Sequence, residues 1–112
     1  MVDVVLTVQR LAPTGITPTR TTTNNADTYI MRNNGRMMLA FENSSGATAT
    51  ITIQTPGTRG GLAVAEQTLN VPATTGDVMV GPFPPSIYND DNGDLRFSTN
   101  EGTGLTCAVV AI

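Results

Sequence analysis

Short apolar segments with a two-residue period recur along the chain, and Gly, Pro, Asn and Asp separate them. The clearest alternation occurs at residues 2–8, 37–42 and 47–55. A two-residue period is typical of a half-buried strand, because successive side chains point to opposite faces. We therefore predict strands in these three segments. In the third, the threonines at 48, 50 and 52 form a polar, branched face suited to a solvated sheet surface.

The remaining apolar segments predict further short strands. They lie at 28–31, 69–71, 78–80, 95–97 and 105–112, and at 62–65, where a strand or a helical turn would fit. Two Asn-Gly sequences, in 33–35 and in 90–94, predict hairpin turns, because both residues tolerate positive φ. The Pro-rich segment 81–88 is predicted to be stiff and extended. Residues 10–27 read as a long surface connection or arm, with room for a short strand near Ile16.

This pattern predicts seven to nine short strands and essentially no helix. At 112 residues and 11.7 kDa, the chain forms one domain, residues 1–112, whose fold buries about two thirds of the unfolded surface. Regularly spaced strands with turn signals favour an all-β fold, either an antiparallel β-sandwich or a small β-barrel. The predicted core consists of Val4, Leu6, Val8, Leu39, Phe41, Ile51, Ile53, Val71, Val80, Phe97, Val109 and Ala111.

The composition excludes much catalytic and cofactor chemistry. The chain has no His and no Lys, and Cys107 is its one cysteine. It therefore has no imidazole base, no Schiff-base lysine, no internal disulfide and no thiolate zinc site. We predict no catalytic, cofactor-binding or metal-binding residues and no cofactor, and we interpret Cys107 as a small core residue.

An acidic turn between 90 and 101 is open to two interpretations. Asp90, Asn92, Asp94 and Glu101 stand at positions 1, 3, 5 and 12 of a calcium-loop frame, but Leu95 occupies the position that requires glycine. A solvated Asn-Gly turn is the favoured interpretation, and cation binding stays open. A catalytic carboxylate pair is disfavoured, because nothing in an exposed turn desolvates either group.

The charge balance and the absence of targeting signals limit the partners. The formal net charge is −3, which disfavours nucleic acid as a partner. The sequence shows neither a signal peptide nor a membrane span, so we expect synthesis in a cytoplasm and no membrane partner. All six cations are arginines, whose planar guanidinium can bind a carboxylate bidentately. Arg20, Arg32, Arg36 and Arg59 are the predicted partner-binding residues, and a solvated charge is the alternative interpretation of each.

Several short motifs carry a resemblance to a known family. They lie at 15–19, 34–39, 55–58, 61–65 and, most specifically, 81–89, which reads Gly-Pro-Phe-Pro-Pro-Ser-Ile-Tyr-Asn. Across most of its length the chain resembles small virion proteins of tailed bacteriophages, the head decoration or capsid cement proteins. The resemblance implies a non-enzymatic protein made in the bacterial host cytoplasm and located on the capsid surface of the virion. There it would bind the major capsid protein and bridge neighbouring capsid subunits, as a homo-oligomer that we expect to be a trimer.

Two other functions remain open at this point. A tail, neck or head-fibre component would fit the same Thr- and Asn-rich, low-charge β-domain. A carbohydrate-binding or adhesive β-sandwich is the alternative from a different class, and it would need exposed aromatic rings. A weakly charged sheet also protects its edges poorly, so we expect a partner to cover some of them. The N-terminal strand or the 10–27 segment could in turn add to the sheet edge of a neighbour.

Overall fold

A computed structural model describes residues 3–63, 65–100 and 104–111, with the side chains of Thr58 and Arg59 left out. These residues form twelve strands and one helical turn. The elements are β1 Asp3–Val5, β2 Gln9–Arg10, β3 Thr21–Thr22, β4 Thr28–Arg32, β5 Met37–Asn43, β6 Ala49–Ile53, β7 Thr58–Arg59, β8 Leu62–Ala63, β9 Gln67–Val71, β10 Gly76–Val80, α1 Pro85–Tyr88, β11 Asp94–Thr99 and β12 Leu105–Ala111. Four strands have only two residues, so eight have three or more, as the alternation predicts.

The strands form two open sheets that pack face to face. Sheet 1 has the order β1-β4-β11-β6-β9, and sheet 2 has the order β10-β5-β12-β2, with β3 also paired to β12. The strands β7 and β8 form a separate hairpin. The fold is therefore a β-sandwich and not a closed barrel. It is mixed rather than purely antiparallel, because β1 runs parallel to β4, and β2 runs parallel to β12.

The core lies between the two sheets and is centred on aromatic rings. Phe41 of sheet 2 meets Phe97 of sheet 1 edge to face, with ring centroids 5.6 Å apart. Nine of the twelve predicted core residues are buried, while Val4, Val8 and Val80 are half-buried and pack at its periphery. The alternation along the strands thus predicts correctly which face of each sheet points inward.

The first Asn-Gly turn does not form the predicted hairpin. It follows β4 in sheet 1 and leads into β5 in sheet 2, so the chain crosses from one sheet to the other. The buried Asn33 side chain holds this crossing, because its amide donates to the Phe83 carbonyl at 3.0 Å and to Oδ1 of Asn89. Gly35 supplies the positive φ of 89°. The local turn prediction is right, whereas the predicted strand pairing is wrong.

The end of the Pro-rich segment, just before the second Asn-Gly turn, does not have the predicted extended conformation. Residues 85–88 form one helical turn instead of the predicted stiff, extended segment, and the amides of Ile87 and Tyr88 both donate to the Pro84 carbonyl. Pro85 favours this start, because its fixed φ already suits the first turn of a helix. The turn at 90–94 therefore joins α1 to β11 and does not connect two paired strands.

The predicted surface connection at 10–27 is fastened to its own sheet at both ends. β2 and β3 pair with β12, and no strand forms at Ile16. The Gln9 side chain closes the intervening loop, because its amide donates to the Thr19 carbonyl and its oxygen accepts from the Thr19 N–H. In this structure the segment covers its own sheet edge.

Candidate partner-binding surface

The outer face of sheet 2 is unusually apolar for a sheet surface. Ala40 of β5 lies opposite Ala108 of β12, and Met38 lies opposite Val110. These side chains point away from the core, because their neighbours Leu39 and those on either side of Ala108 point into it. Ala40, Ala108 and Val110 are nevertheless buried, which shows that other parts of the chain cover them.

One cover is the segment that enters β3. Arg20 lies directly before this strand, and its guanidinium is 3.1 Å from the Glu42 carboxylate on β5. Since β12 lies between β3 and β5, the Arg20 side chain crosses the outer side of β12. This crossing shields the face on the β12 side and leaves the β10 side open.

The open side contains an apolar cleft of about 170 Å³, which we call the methionine cleft. It is lined by Met37, Met38, Met79, Val80, Gly81 and Pro82. Met79 is 64% exposed, and it lies opposite Ala40 on the outer face. Gly81 forms part of the lining as bare backbone, because a Cβ there would come within 2.7 Å of the Met37 carbonyl oxygen. Methionine is enriched in protein interfaces, since its flexible thioether adapts to different partners.

The edge strand β10 borders this cleft. β10 pairs with β5 on one side and with none of the described strands on the other. Along β10 the inward side chains Val78 and Val80 are half-buried, whereas Asp77 and Met79 point outward. The open edge presents backbone N–H and C=O groups that another strand can pair with, and Asp77 is its only charged residue.

Two carboxylates stand side by side where β10 begins, and we call them the acidic pair. Asp77 lies directly opposite Glu42 on the neighbouring strand, and both are exposed. They line a polar cleft of about 340 Å³ at the end of sheet 2. Within the described part of the chain, Arg20 is the one cation paired with Glu42, and no cation pairs with Asp77. Like charges in opposite positions repel, so this pair is locally unfavourable in the free protein.

The structure does not gather the four predicted arginines into one site. Arg20 lies on the outer face of sheet 2 but is bound to Glu42. Arg32, on sheet 1, is 3.4 Å from the Asp94 carboxylate and also donates to the Asn92 carbonyl.

The other two predicted arginines contribute less to this surface. Arg36 is exposed in the crossing before β5, one residue before Met37, and it forms no ion pair with the described residues. The Arg59 side chain lies outside the described residues.

The sequence interpretation missed the features that define this surface. Met38 and Met79 are the central residues, and they were overlooked because the alternation assigns them only to the face away from the core. An apolar residue on the outward register of two adjacent strands is the signal that could have identified them. The missed Arg10 lies with Arg32 in a separate cleft of about 260 Å³ at the end of the sandwich.

The acidic turn is a structural element. Oδ1 of Asp90 accepts from the N–H groups of Asn92 and Asp94, and its Oδ2 accepts from Nε of Arg96 at 3.1 Å. The hydrogen bond from the Asp94 amide, aided by Arg96, holds the pKa of Asp90 below its ordinary value. No group of three or more potential metal ligands comes together among the described residues, and Glu101 of the calcium-loop frame lies outside them.

Two further groups have roles in the core. Burial raises the pKa of the Cys107 thiol to about 12, so the thiol stays protonated and unreactive at neutral pH. Four of the five aromatic rings are buried, and only Tyr88 is half-buried, with its hydroxyl hydrogen-bonded to Gln67. The structure therefore offers little of the exposed aromatic surface that stacking on sugar rings requires.

The fold and the surface define an all-β sandwich in which β10, beside the methionine cleft, is one of several strands that pair on one side only among the described residues. Comparison of the chain with protein-family models, with curated proteins and with solved structures found no match. None of the helices in the described ranges is long and apolar enough to cross a lipid bilayer.

Proposed function

We propose that this chain is a non-enzymatic virion structural protein that binds the outside of a phage capsid and bridges capsid subunits. The observation that carries the proposal is the open edge of β10 beside the methionine cleft, where Met79 is 64% exposed. The resemblance of several short motifs to those of head decoration proteins supplies the proposed class of partner, which is the major capsid protein.

The stabilisation follows from linkage. A protein that binds only the assembled shell shifts the equilibrium toward assembly by mass action. Copies repeated over a symmetric lattice add avidity, because a subunit can leave only after its contacts with each bridging copy are broken. The sandwich suits this role, since its core is self-sufficient and leaves the outer faces free for contacts.

The methionine cleft provides the adhesive part of the contact. An apolar side chain of the capsid protein displaces water from the cleft, and burial of apolar surface is favourable by about 25 cal/mol per Å². Arg36, which directly precedes Met37 of the cleft and forms no ion pair with the described residues, would bind a carboxylate of the capsid protein.

The test is a binding assay with expanded, undecorated capsids of the phage whose genome encodes the chain. The purified chain is expected to sediment with these capsids at a fixed ratio and to raise the temperature at which they release DNA. The variant Met79→Gln should lose most of this binding. The matched control Leu62→Gln, at a side chain that is 72% exposed in the separate hairpin, should keep it.

Two results would contradict the proposal. If the chain binds purified tails and not capsids, the tail or neck alternative replaces it. If a glycan array captures the chain at concentrations where capsids do not, the adhesive alternative replaces it. Equal capsid binding by both variants would remove the methionine cleft from the contact.

A further inference from the structure

We propose that the edge of β10 binds an extended segment of the partner as an added strand, and that this segment carries an apolar residue followed two positions later by Arg or Lys. The inference rests on the proposed function, because it specifies how the capsid protein would bind. It follows from the order of features along one open strand edge.

The backbone of β10 supplies the pairing groups. Five consecutive residues, Gly76–Val80, have one edge bonded to β5 and the other unpaired with any described strand. The segment contains neither proline nor a positively charged residue, which are the residues that commonly prevent an edge strand from pairing with another chain. An extended peptide can therefore continue sheet 2 by main-chain hydrogen bonds, while its side chains determine specificity.

The side chains on the outer face of β10 determine the pattern that the partner must carry. Asp77 and Met79 are two residues apart and point the same way, so a paired strand faces them with residues that are also two positions apart. The position opposite Met79 lies beside this exposed side chain, which lines the methionine cleft, and calls for an apolar side chain. The position opposite Asp77 lies beside the acidic pair and calls for a cation.

Charge complementarity favours a partner segment over a second copy of β10. In the antiparallel pairing of two β10 strands centred on Val78, each Asp77 would lie opposite Met79 of the other copy. That pairing buries a carboxylate against an apolar side chain and leaves Asp77 without a cation, whereas its neighbour Glu42 already pairs with Arg20. A Lys or Arg relieves the repulsion, and the adjacent polar cleft of about 340 Å³ gives its side chain room.

The direction of the partner strand determines the order of its residues. In antiparallel pairing, the residue opposite Met79 precedes the residue opposite Asp77 in the partner sequence. We therefore expect the order apolar, any residue, basic. A parallel partner would carry the reverse order.

The test uses synthetic peptides and nuclear magnetic resonance of the intact chain. The probe is acetyl-Thr-Val-Thr-Leu-Thr-Arg-Thr-amide, and the comparison peptide has Glu in place of Arg. The first peptide should shift the amide signals of residues 76–80 and the methyl signals of Met38 and Met79. The Glu peptide should bind about fivefold more weakly, which is the upper range for one exposed ion pair.

Backbone pairing is tested separately from side-chain contact. Two versions of the peptide carry N-methyl groups on alternate residues, one on the odd and one on the even positions. Only one edge of the peptide faces β10, so one version should keep binding and the other should lose it. Equal binding by both versions would overturn the added strand.

Variants of the chain test the charge argument. Asp77→Lys should reverse the preference, so that the Glu peptide binds more tightly than the Arg peptide. The control Asp91→Lys, which alters an exposed carboxylate in the 90–94 turn, should leave the preference unchanged. If both variants change the preference for the Arg peptide over the Glu peptide equally, peptide binding depends only on the net charge of the chain. The proposed register would then be wrong.

The outcomes separate this inference from the proposed function. Peptide binding at β10 without capsid binding would retain the strand-addition site and reject the capsid role. Capsid binding that depends on Met79, without any peptide binding, would retain the role and reject strand addition. Dimers that form through β10 and dissociate when Met79 is changed would show that a second copy is the occupant, and the inference would fall.

Discussion

The outer faces of the two sheets differ most between the β6–β9 pair of sheet 1 and the β5–β12 pair of sheet 2. On sheet 1, Thr50 lies opposite Asn70 and Thr52 lies opposite Thr68, and the Thr50 hydroxyl donates to the Asn70 amide oxygen. On sheet 2, the corresponding positions are alanine, valine and methionine. A sheet with one face packed against a core normally carries polar residues on the other face. Sheet 1 follows this rule along β6 and β9 and departs from it at Val5 and Ile30 near its other edge, whereas sheet 2 departs from it along β5, β12 and β10. The outer face of sheet 2 therefore needs a cover.

The cover of sheet 2 is incomplete, and its two parts differ in origin. On the β12 side, β2 and β3 pair with the edge of β12, and the Arg20 side chain crosses its outer face. The β10 side stays open at Met79. Under the proposed function, the covered part of the apolar face serves folding and the open part serves association.

The largest expected effect on stability comes from placing a charge on the outer face of sheet 2, and the same change on sheet 1 is its control. We expect Val110→Asp, on the covered part of sheet 2, to lower the free energy of unfolding by about 3 kcal/mol or more, because it buries an unpaired charge. Ser98→Asp, at an outward position of sheet 1 that is half-exposed, should change it by about 0.5 kcal/mol or less. Urea denaturation followed by circular dichroism measures both. Similar costs at the two positions would mean that the faces do not differ in cover.

A smaller effect is expected from the acidic turn that adjoins sheet 1. Replacing Asp90 by Asn should cost about 1–2 kcal/mol at neutral pH, because two backbone N–H groups and Arg96 lose their carboxylate acceptor. Asp91→Asn, in the same turn but exposed, is the control and should have little effect.

The same variant predicts a dependence on pH. The pKa of Asp90 is lowered in the folded state, so its contribution is present above its ordinary value of 3.8 and is lost as the pH falls through the folded pKa. Between pH 6 and pH 2, the wild-type chain should therefore lose more stability than Asp90→Asn. Parallel curves for the two proteins would show that Asp90 is not a source of acid sensitivity.

The sequence predicts the inward faces well because burial is a local property of the alternation. Phe41 and Phe97 come from different sheets, yet each is identified as core from its own strand alone. Strand pairing is not local in this way. The Asn-Gly turn at 33–35 is compatible both with a hairpin and with a crossing, and the choice depends on Asn33 binding Phe83, fifty residues away.

The candidate surface is also harder to predict than the core, because it depends on which strands pair. Met38 and Met79 are far apart in sequence and meet only because β10 pairs with β5. The four arginines chosen from composition lie on different parts of the molecule, since residue type carries no information about position. Arg20 shows the consequence, because it is bound to Glu42 of its own chain.

The smallest expected effect concerns Asp77, the charged residue on the open edge of sheet 2. Asp77→Asn should raise the free energy of unfolding by about 0.2–0.5 kcal/mol, because it removes a carboxylate directly opposite Glu42. Asp77→Glu, which keeps the charge, is the control and should show no gain. The gain should shrink in 1 M salt, where the screening length falls to about 3 Å.

Asp77→Asn should also weaken binding of the Arg-containing peptide. Asp77 would then lower the stability of the free protein and strengthen its association. A loss of stability in Asp77→Asn would instead mean that Asp77 has a stabilising contact within its own chain, and the acidic pair would then no longer be an argument for a basic partner.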